Sequence, residues 1–134
     1  PGTFTPVKTD RVEDHKMESE RFVIPEETVK AVESVDRSRN RIVAVGTTTV
    51  RACESVAARH GRLAAGRGRT DVFIYPPFTF RVTDALLTNF HLPRSTLLMM
   101  ICAFAGRDLA LRAYREAVKR RYRFYSYGDC MLIL

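Results

Sequence analysis

"RIVAVGTTTVRACESVAARHG", residues 41–61, decides the fold. The β-branched run 41–45 closes on Gly46 and reads as a buried strand. The segment after it reads as a helix that begins with threonine caps, Thr47 and Thr48 foremost, and stops at Gly61. A strand that feeds a helix through a glycine turn is the repeating unit of α/β folds.

Working outward, "DVFIYP" (71–76) reads as a second buried strand, and "FTFRVTDALLTNF" (78–90) holds at least one more extended piece. Ser95 caps an apolar helix over 96–105 that ends at Gly106. "LALRAYREAVKRRY" (109–122) has the spacing of an amphipathic helix with Leu111, Tyr114 and Val118 inward. "CMLIL" (130–134) is a terminal strand. Towards the other end, Pro25 with Glu26 and Glu27 opens a helix carrying Val29, Val32 and Val35. "DRVEDHKMESERFVI" (10–24) reads as loop or irregular strand, "GRLAAGRGRT" (61–70) as a flexible loop, and Thr3–Val7 as a short strand with Pro6 near its edge. The expected class is α/β: a three-layer sandwich on a mixed, largely parallel sheet. The chain opens at Pro1 in what reads as mid-strand, so it is expected to be the later part of a larger domain.

Composition narrows the function classes. The chain has 134 residues, 46% of them hydrophobic and 28% charged, which suits one soluble domain. The longest apolar run, Leu97–Ala105, is far below the roughly 20 residues that span a bilayer. With no basic-then-apolar leader either, the expected location is cytoplasmic. Three cysteines (Cys53, Cys102, Cys130) show no metal-ligand spacing and read as reduced thiols, so neither zinc nor a disulfide framework is expected. The net charge of +7 divides into −4 over residues 1–36 and +11 over 37–134. Such a surface favours a polyanion such as nucleic acid, or belongs to a basic protein with no specific partner.

Four places could carry chemistry. "VAVGTTTVR" presents a strand end, a glycine turn and hydroxyls at a helix N-terminus, a recipe for holding a carboxylate or single phosphate on free N–H groups. Simple capping by Thr47 or Thr48 is the plainer reading. Arg51, one turn on, could join that anion, pair with Glu54, or lie on the surface. In "TNFHLP" the proline keeps the backbone extended, so Asn89 and His91 share one side and could act as an acid/base or base-reading pair. A satisfied core histidine is the bland alternative. His60 is explained by the helix end, and His15 sits among carboxylates. Tyr75, Phe78, Phe80, Tyr122, Phe124, Tyr125 and Tyr127 lie among Arg81, Arg121 and Arg123 and could stack nucleobases, although most belong in a core. The Ser126–Asp129 turn, "SYGD", reads as a ligand loop.

Taken together, "EDH.M.SE", "AVGTTTVR", "FIYP.F", "DALLTNFHLP.STLLMM", "AFAG" and "YRF.SYGD" resemble the C-terminal portion of the S-adenosylmethionine:tRNA ribosyltransferase-isomerase family of queuosine biosynthesis. The match runs in order over nearly the whole chain. The resemblance implies transfer and isomerisation of the ribosyl part of S-adenosylmethionine onto 7-aminomethyl-7-deazaguanine in tRNA. Epoxyqueuosine is then the product, with no metal or separate cofactor. It also implies an α/β domain interrupted by a β-barrel, of which 1–134 would be the later α/β part without the barrel. The full-length form is expected to be a monomer that binds tRNA and S-adenosylmethionine.

Within that resemblance His91 or His15 would be the base that removes the proton beside the sulfonium, with Asp129 the alternative carboxylate. Gly46, Thr47 and Thr48, assisted by Arg51, would hold the methionine carboxylate. Asn89 would face the deazaguanine edge or the ribose, and Tyr75, Ser126 and Tyr127 complete the substrate-binding set. Two departures stand out: Glu18 replaces the second histidine of the family's HxMHxE pattern, and Pro77 replaces a glycine in YPGF. A catalytically inactive RNA-binding homologue is the alternative from another class. A methyltransferase-like enzyme is disfavoured because no glycine-rich loop with a downstream acidic ribose ligand is present.

Overall fold

A computed structural model describes residues 11–134, so the Thr3–Val7 strand lies outside the described residues. After one 3-10 turn at Val12–Asp14, the elements in order are β1 (Glu20–Ile24), α1 (Glu26–Glu33), β2 (Val43–Val45), α2 (Thr47–His60), β3 (Gly66–Thr70), β4 (Ala85–Asn89), α3 (Thr96–Ala105), α4 (Arg107–Lys119) and β5 (Cys130–Ile133). Another 3-10 turn, Tyr125–Tyr127, precedes β5.

The strands form two sheets, β1–β3 and β2–β4–β5. In the larger sheet β2 runs parallel to β4, with Ala44 opposite Leu86, and β4 runs antiparallel to β5, with Thr88 opposite Met131. The β1–β3 ribbon is antiparallel. The class is α/β, as expected. Within the larger sheet the described pairings are one parallel and one antiparallel, so that sheet is mixed, without the excess of parallel pairs that was expected.

Most helix signals translated directly. Pro25 caps α1 with Glu26 and Glu27 in its first turn. Gly61 stops α2 in the left-handed conformation (φ 76°), a shape that costs a side chain more than it costs glycine. Ser95 Oγ accepts the Leu98 N–H at 3.1 Å, which caps α3. Gly106, at φ 83°, ends α3 and starts α4 in one residue.

Strand expectations fared less well. Among the described residues β2 is an edge strand rather than a buried one: Ala44 is buried, but Val45 is 65% exposed. "GRLAAGRGRT" is not a flexible loop, because its second half is β3. There Phe22 lays its ring over Gly68 so closely that a Cβ would sit 2.7 Å from it. "DVFIYP" forms no strand. Pro76 and Pro77 offer no N–H to a ladder, and Ile74 is buried in irregular backbone. On α4 the buried positions are Ala110, Tyr114 and Ala117. Val118, expected inward, is 63% exposed.

Two apolar clusters form the interior. One joins Ala44, Val50, Leu86, Phe90, Met100, Ile101, Ala110, Tyr114 and Ala117. The other joins Ile24, Val56, Ala57, Leu63 and Val82. α2 contributes to both, and its Glu54 carboxylate, itself buried, accepts the backbone N–H groups of Arg81, Val82 and Thr83 at 2.7–3.1 Å.

Candidate functional site

β2 and β4 run parallel, so their C-terminal ends lie side by side. At the first end the Gly46 N–H donates to the Leu87 carbonyl at 2.9 Å. Gly46 itself turns the chain at φ 86° into α2. The N–H groups of the first turn of a helix have no intrahelical acceptor and, with the helix dipole, favour an anion there. The threonine hydroxyls do not cap this helix: Gly46 is the N-cap, and Thr49 Oγ1 donates back to the Val45 carbonyl at 2.9 Å. At the second end β4 delivers Thr88, Asn89, Phe90 and His91. The Phe90 ring meets Tyr114, Tyr122 and Phe124 at centroid distances of 5.4–5.7 Å, anchoring the bend in the core.

Between these ends lies a cavity of about 260 Å³ lined by Val45, Gly46, Thr47, Thr48, Thr49, Thr88, Asn89, His91, Leu92, Ser95, Leu97, Tyr125 and Ser126. Gly46, Thr47, Thr48, Asn89, His91, Tyr125 and Ser126, seven residues singled out from the sequence, thus share one enclosure.

His91 is 8% exposed, and its Nε2 lies 3.0 Å from Thr88 Oγ1. Its backbone N–H donates to Tyr114 Oη at 3.0 Å. Burial pushes the imidazole pKa down to about 4 and the Tyr114 phenol up to about 12. The ring is therefore neutral at pH 7. Among the lining residues only His91 and Tyr125 are titratable.

The loop 123–129 closes one side. Tyr125 N–H donates to the Phe90 carbonyl at 2.9 Å, and Asn89 Nδ2 donates to the Asp129 carbonyl at 3.2 Å. The Asp129 carboxylate accepts from the Arg123 backbone N–H and from its guanidinium, at 3.2 Å from Nε. Those bonds hold its pKa below the usual carboxylate range.

Other sequence candidates lie elsewhere. Arg51, 1% exposed, is not a lining residue. Its Nη1 donates to Glu20 Oε2 at 2.6 Å and its Nε to the Val72 carbonyl at 3.1 Å, so it ties α2 to β1 outside the cavity lining and does not pair with Glu54. The His15 ring packs edge-on to Phe73 at 5.3 Å, and the Tyr75 ring lies 5.0 Å from Phe73; neither lines the cavity. Tyr127 is 72% exposed, with its ring 6.2 Å from Tyr125. Sequence reading overlooked Thr88, Ser95 and Leu97 as lining residues and Arg123 as the partner of Asp129. The polar Thr88 inside an apolar strand was the one available signal. Among the described residues no group of three or more His, Cys, Asp or Glu side chains is placed to hold a metal ion. No helix among the described residues is long and apolar enough to cross a membrane.

Comparisons with known proteins agree with the motif pattern. A family model described as "Queuosine biosynthesis protein" matches residues 1–133. A curated relative from Thermotoga maritima named S-adenosylmethionine:tRNA ribosyltransferase-isomerase is 60% identical over 133 residues, 99% of this chain and 39% of the relative. One of the same name from Geobacter sulfurreducens is 55% identical over 132 residues, 98% of this chain and 38% of the relative. The crystal structure of an S-adenosylmethionine tRNA ribosyltransferase from Thermotoga maritima superposes with a TM-score of 0.79 at 60% identity, over 85% of this chain and 40% of that one. The chain therefore spans about two fifths of the length of these relatives, and over that span it belongs to the queuosine biosynthesis protein family.

Proposed function

We propose that this chain is the later α/β part of an S-adenosylmethionine:tRNA ribosyltransferase-isomerase, and that the cavity between the ends of β2 and β4 receives S-adenosylmethionine as ribosyl donor. The acceptor in this reading is 7-aminomethyl-7-deazaguanine in tRNA and the product is epoxyqueuosine. No separate cofactor takes part, and the full-length protein works in the cytoplasm as a monomer. The supporting observation is that a helix N-terminus and a neutral histidine, 45 positions apart in sequence, line one enclosure.

The donor carries a carboxylate and a sulfonium. The carboxylate suits the start of α2 at Gly46–Thr48, where such a charge is stabilised by roughly 0.3–2 kcal/mol. The sulfonium acidifies the adjacent ribose C5′–H. The neutral His91 imidazole accepts that proton, and the electron pair left behind drives expulsion of adenine. A base with a pKa near 4 is weak, so the role requires the bound carboxylate to raise it. His91 is preferred over His15, which lies outside the lining, and over Asp129, whose carboxylate is engaged by Arg123. Asp129 and Arg123 instead position Tyr125 and Ser126 at the cavity wall, while Asn89 faces the deazaguanine or the ribose. Tyr127, beside the mouth, offers its exposed ring to a base, and Tyr75 and Arg51 act through the fold. The three-layer domain expected from the sequence fits β4, where Ala85 and Leu86 point to opposite faces and are both buried.

Equilibrium titration with S-adenosylmethionine tests the pocket. In an intact family member, His91→Gln at the corresponding position is expected to lower kcat by about 10²–10⁴ while leaving donor affinity within about threefold. Full turnover in that variant removes His91 as the base. Absence of donor binding in the intact protein removes the whole reading.

A further inference from the structure

The β1–β3 ribbon is not used by the pocket, and its two faces differ sharply. On the inner face Glu20 pairs with Arg51, and Phe22, lying over Gly68, packs against the second apolar cluster. On the outer face the register sets Arg21 opposite Arg69 and Val23 opposite Arg67. All four are exposed. The alternation of glycine and arginine in 66–69 has a physical consequence: the residues without side chains face inward, and both arginines face out.

Like charges directly opposite each other across an antiparallel pair are destabilising. This ribbon keeps such a pair at Arg21 and Arg69, and no acidic residue of β1 or β3 shares their face. Ser19 fixes the Arg69 guanidinium, its Oγ accepting from Nε at 3.0 Å and its carbonyl from Nη2 at 3.3 Å. The Arg21 and Arg67 guanidinium groups have no hydrogen-bond or ion-pair partner among the described residues. Arg59, from the last turn of α2, reaches the Arg69 carbonyl at 3.5 Å and adds a fourth positive charge to the same edge. Arg67 and Arg69 are two residues apart on one strand face, hence about 7 Å apart, so each can take its own phosphate.

We propose that the outer face of this ribbon, through Arg21, Arg67 and Arg69, docks the ribose–phosphate backbone of RNA. The proposal rests on the reading of tRNA as the substrate and assigns it a second surface, separate from the cavity. The contact is electrostatic and blind to sequence, so it positions the RNA while the cavity reads the base. RNA is favoured over an anionic membrane because the face is narrow and largely polar, with Val23 as its one exposed apolar side chain on these strands and no adjoining apolar helix face to insert.

The test is fluorescence anisotropy of labelled tRNA with this chain between 50 and 200 mM salt, for wild type, R21Q/R67Q, R21K/R67K and a charge-matched control on α4, R112Q/R115Q. The ribbon double variant leaves the Ser19 bonds to Arg69 in place. It is expected to bind about tenfold more weakly and to lower the salt slope by about 1–2. The lysine pair should restore the slope, and the thermal midpoint of R21Q/R67Q should be unchanged or raised, because a like-charge pair has been removed. An unchanged slope in R21Q/R67Q overturns the proposal. So does an equal loss in the α4 control, failure of the lysines to rescue, phosphatidylserine vesicles binding as tightly with the same dependence on Arg21 and Arg67, or no tRNA binding by wild type. Donor binding to the cavity is read separately: its loss would sink the pocket and leave the ribbon result standing.

Discussion

His91 carries the clearest consequence of burial for a single group. Unfolded, its imidazole titrates near 6.5; folded, desolvation holds it to about 4. The unfolded chain therefore takes up a proton at a pH where the folded chain does not. The stability associated with the neutral ring is fully present above about 6.5 and is lost as pH falls towards 4, by up to roughly 3 kcal/mol. Urea midpoints for wild type and His91→Gln over that window check this. The wild-type curve should fall more steeply, and parallel curves would show that the ring is solvated in the folded chain. Gly46 makes a different point at the same scale. Nothing lies within 4 Å of a Cβ built there, so Gly46→Ala meets no clash. The cost comes from the backbone, φ 86° with ψ 147°, a region almost closed to side chains, and is about 1–3 kcal/mol by denaturant unfolding.

Among elements, α2 was legible and β3 was not, and the reason is chemical. A helix announces itself by caps and stops that act within a few residues, as Gly46, Gly61 and Ser95 do here. A strand is specified by its partner. "GRGRT" has almost no intrinsic preference for extended structure and becomes β3 because β1 supplies a ladder and Phe22 a lid for Gly68. The proline-stopped run 71–76 has the opposite history: apolar enough for a strand, it finds no strand to pair with among the described residues. The cavity was legible in part for the same reason. The turn at Gly46 and the extended Asn89–His91 segment are local, but the loop that brings Tyr125 and Ser126 to the wall is held by Arg123–Asp129 and by the Phe90 carbonyl, which no spacing reveals. Arg51 shows how a nearby cation can mislead: its place in the second turn of α2 suits an anion site, whereas burial commits it to Glu20. Arg51→Met is expected to cost about 3 kcal/mol or more, since it removes the buried cation paired with the Glu20 carboxylate and the donor to the Val72 carbonyl. Donor affinity per folded molecule should stay the same; a tenfold weaker titration of the folded fraction would return Arg51 to the site.

Across the whole molecule, the two apolar clusters would be separate small cores if nothing joined them. α2 joins them, with Val50 in the first and Val56 and Ala57 in the second. Midway between, Glu54 accepts three consecutive backbone N–H groups from 81–83, the stretch leading into β4. A carboxylate serves here because it offers two oxygens and no donor. An amide would turn one NH2 toward an N–H that has no other acceptor. Glu54→Gln should therefore lose the Arg81 contact at Oε2 while keeping those of Val82 and Thr83 at Oε1, at a cost of about 1–3 kcal/mol. Glu54→Ala leaves all three donors without their acceptor and should cost more than the glutamine. Hydrogen exchange distinguishes a local from a global effect. If Glu54 couples the clusters, the alanine variant loses protection at 81–83 first, and the second cluster then opens at lower denaturant than the first. A single cooperative transition with uniformly reduced protection would mean that burial of α2 alone holds the two cores together.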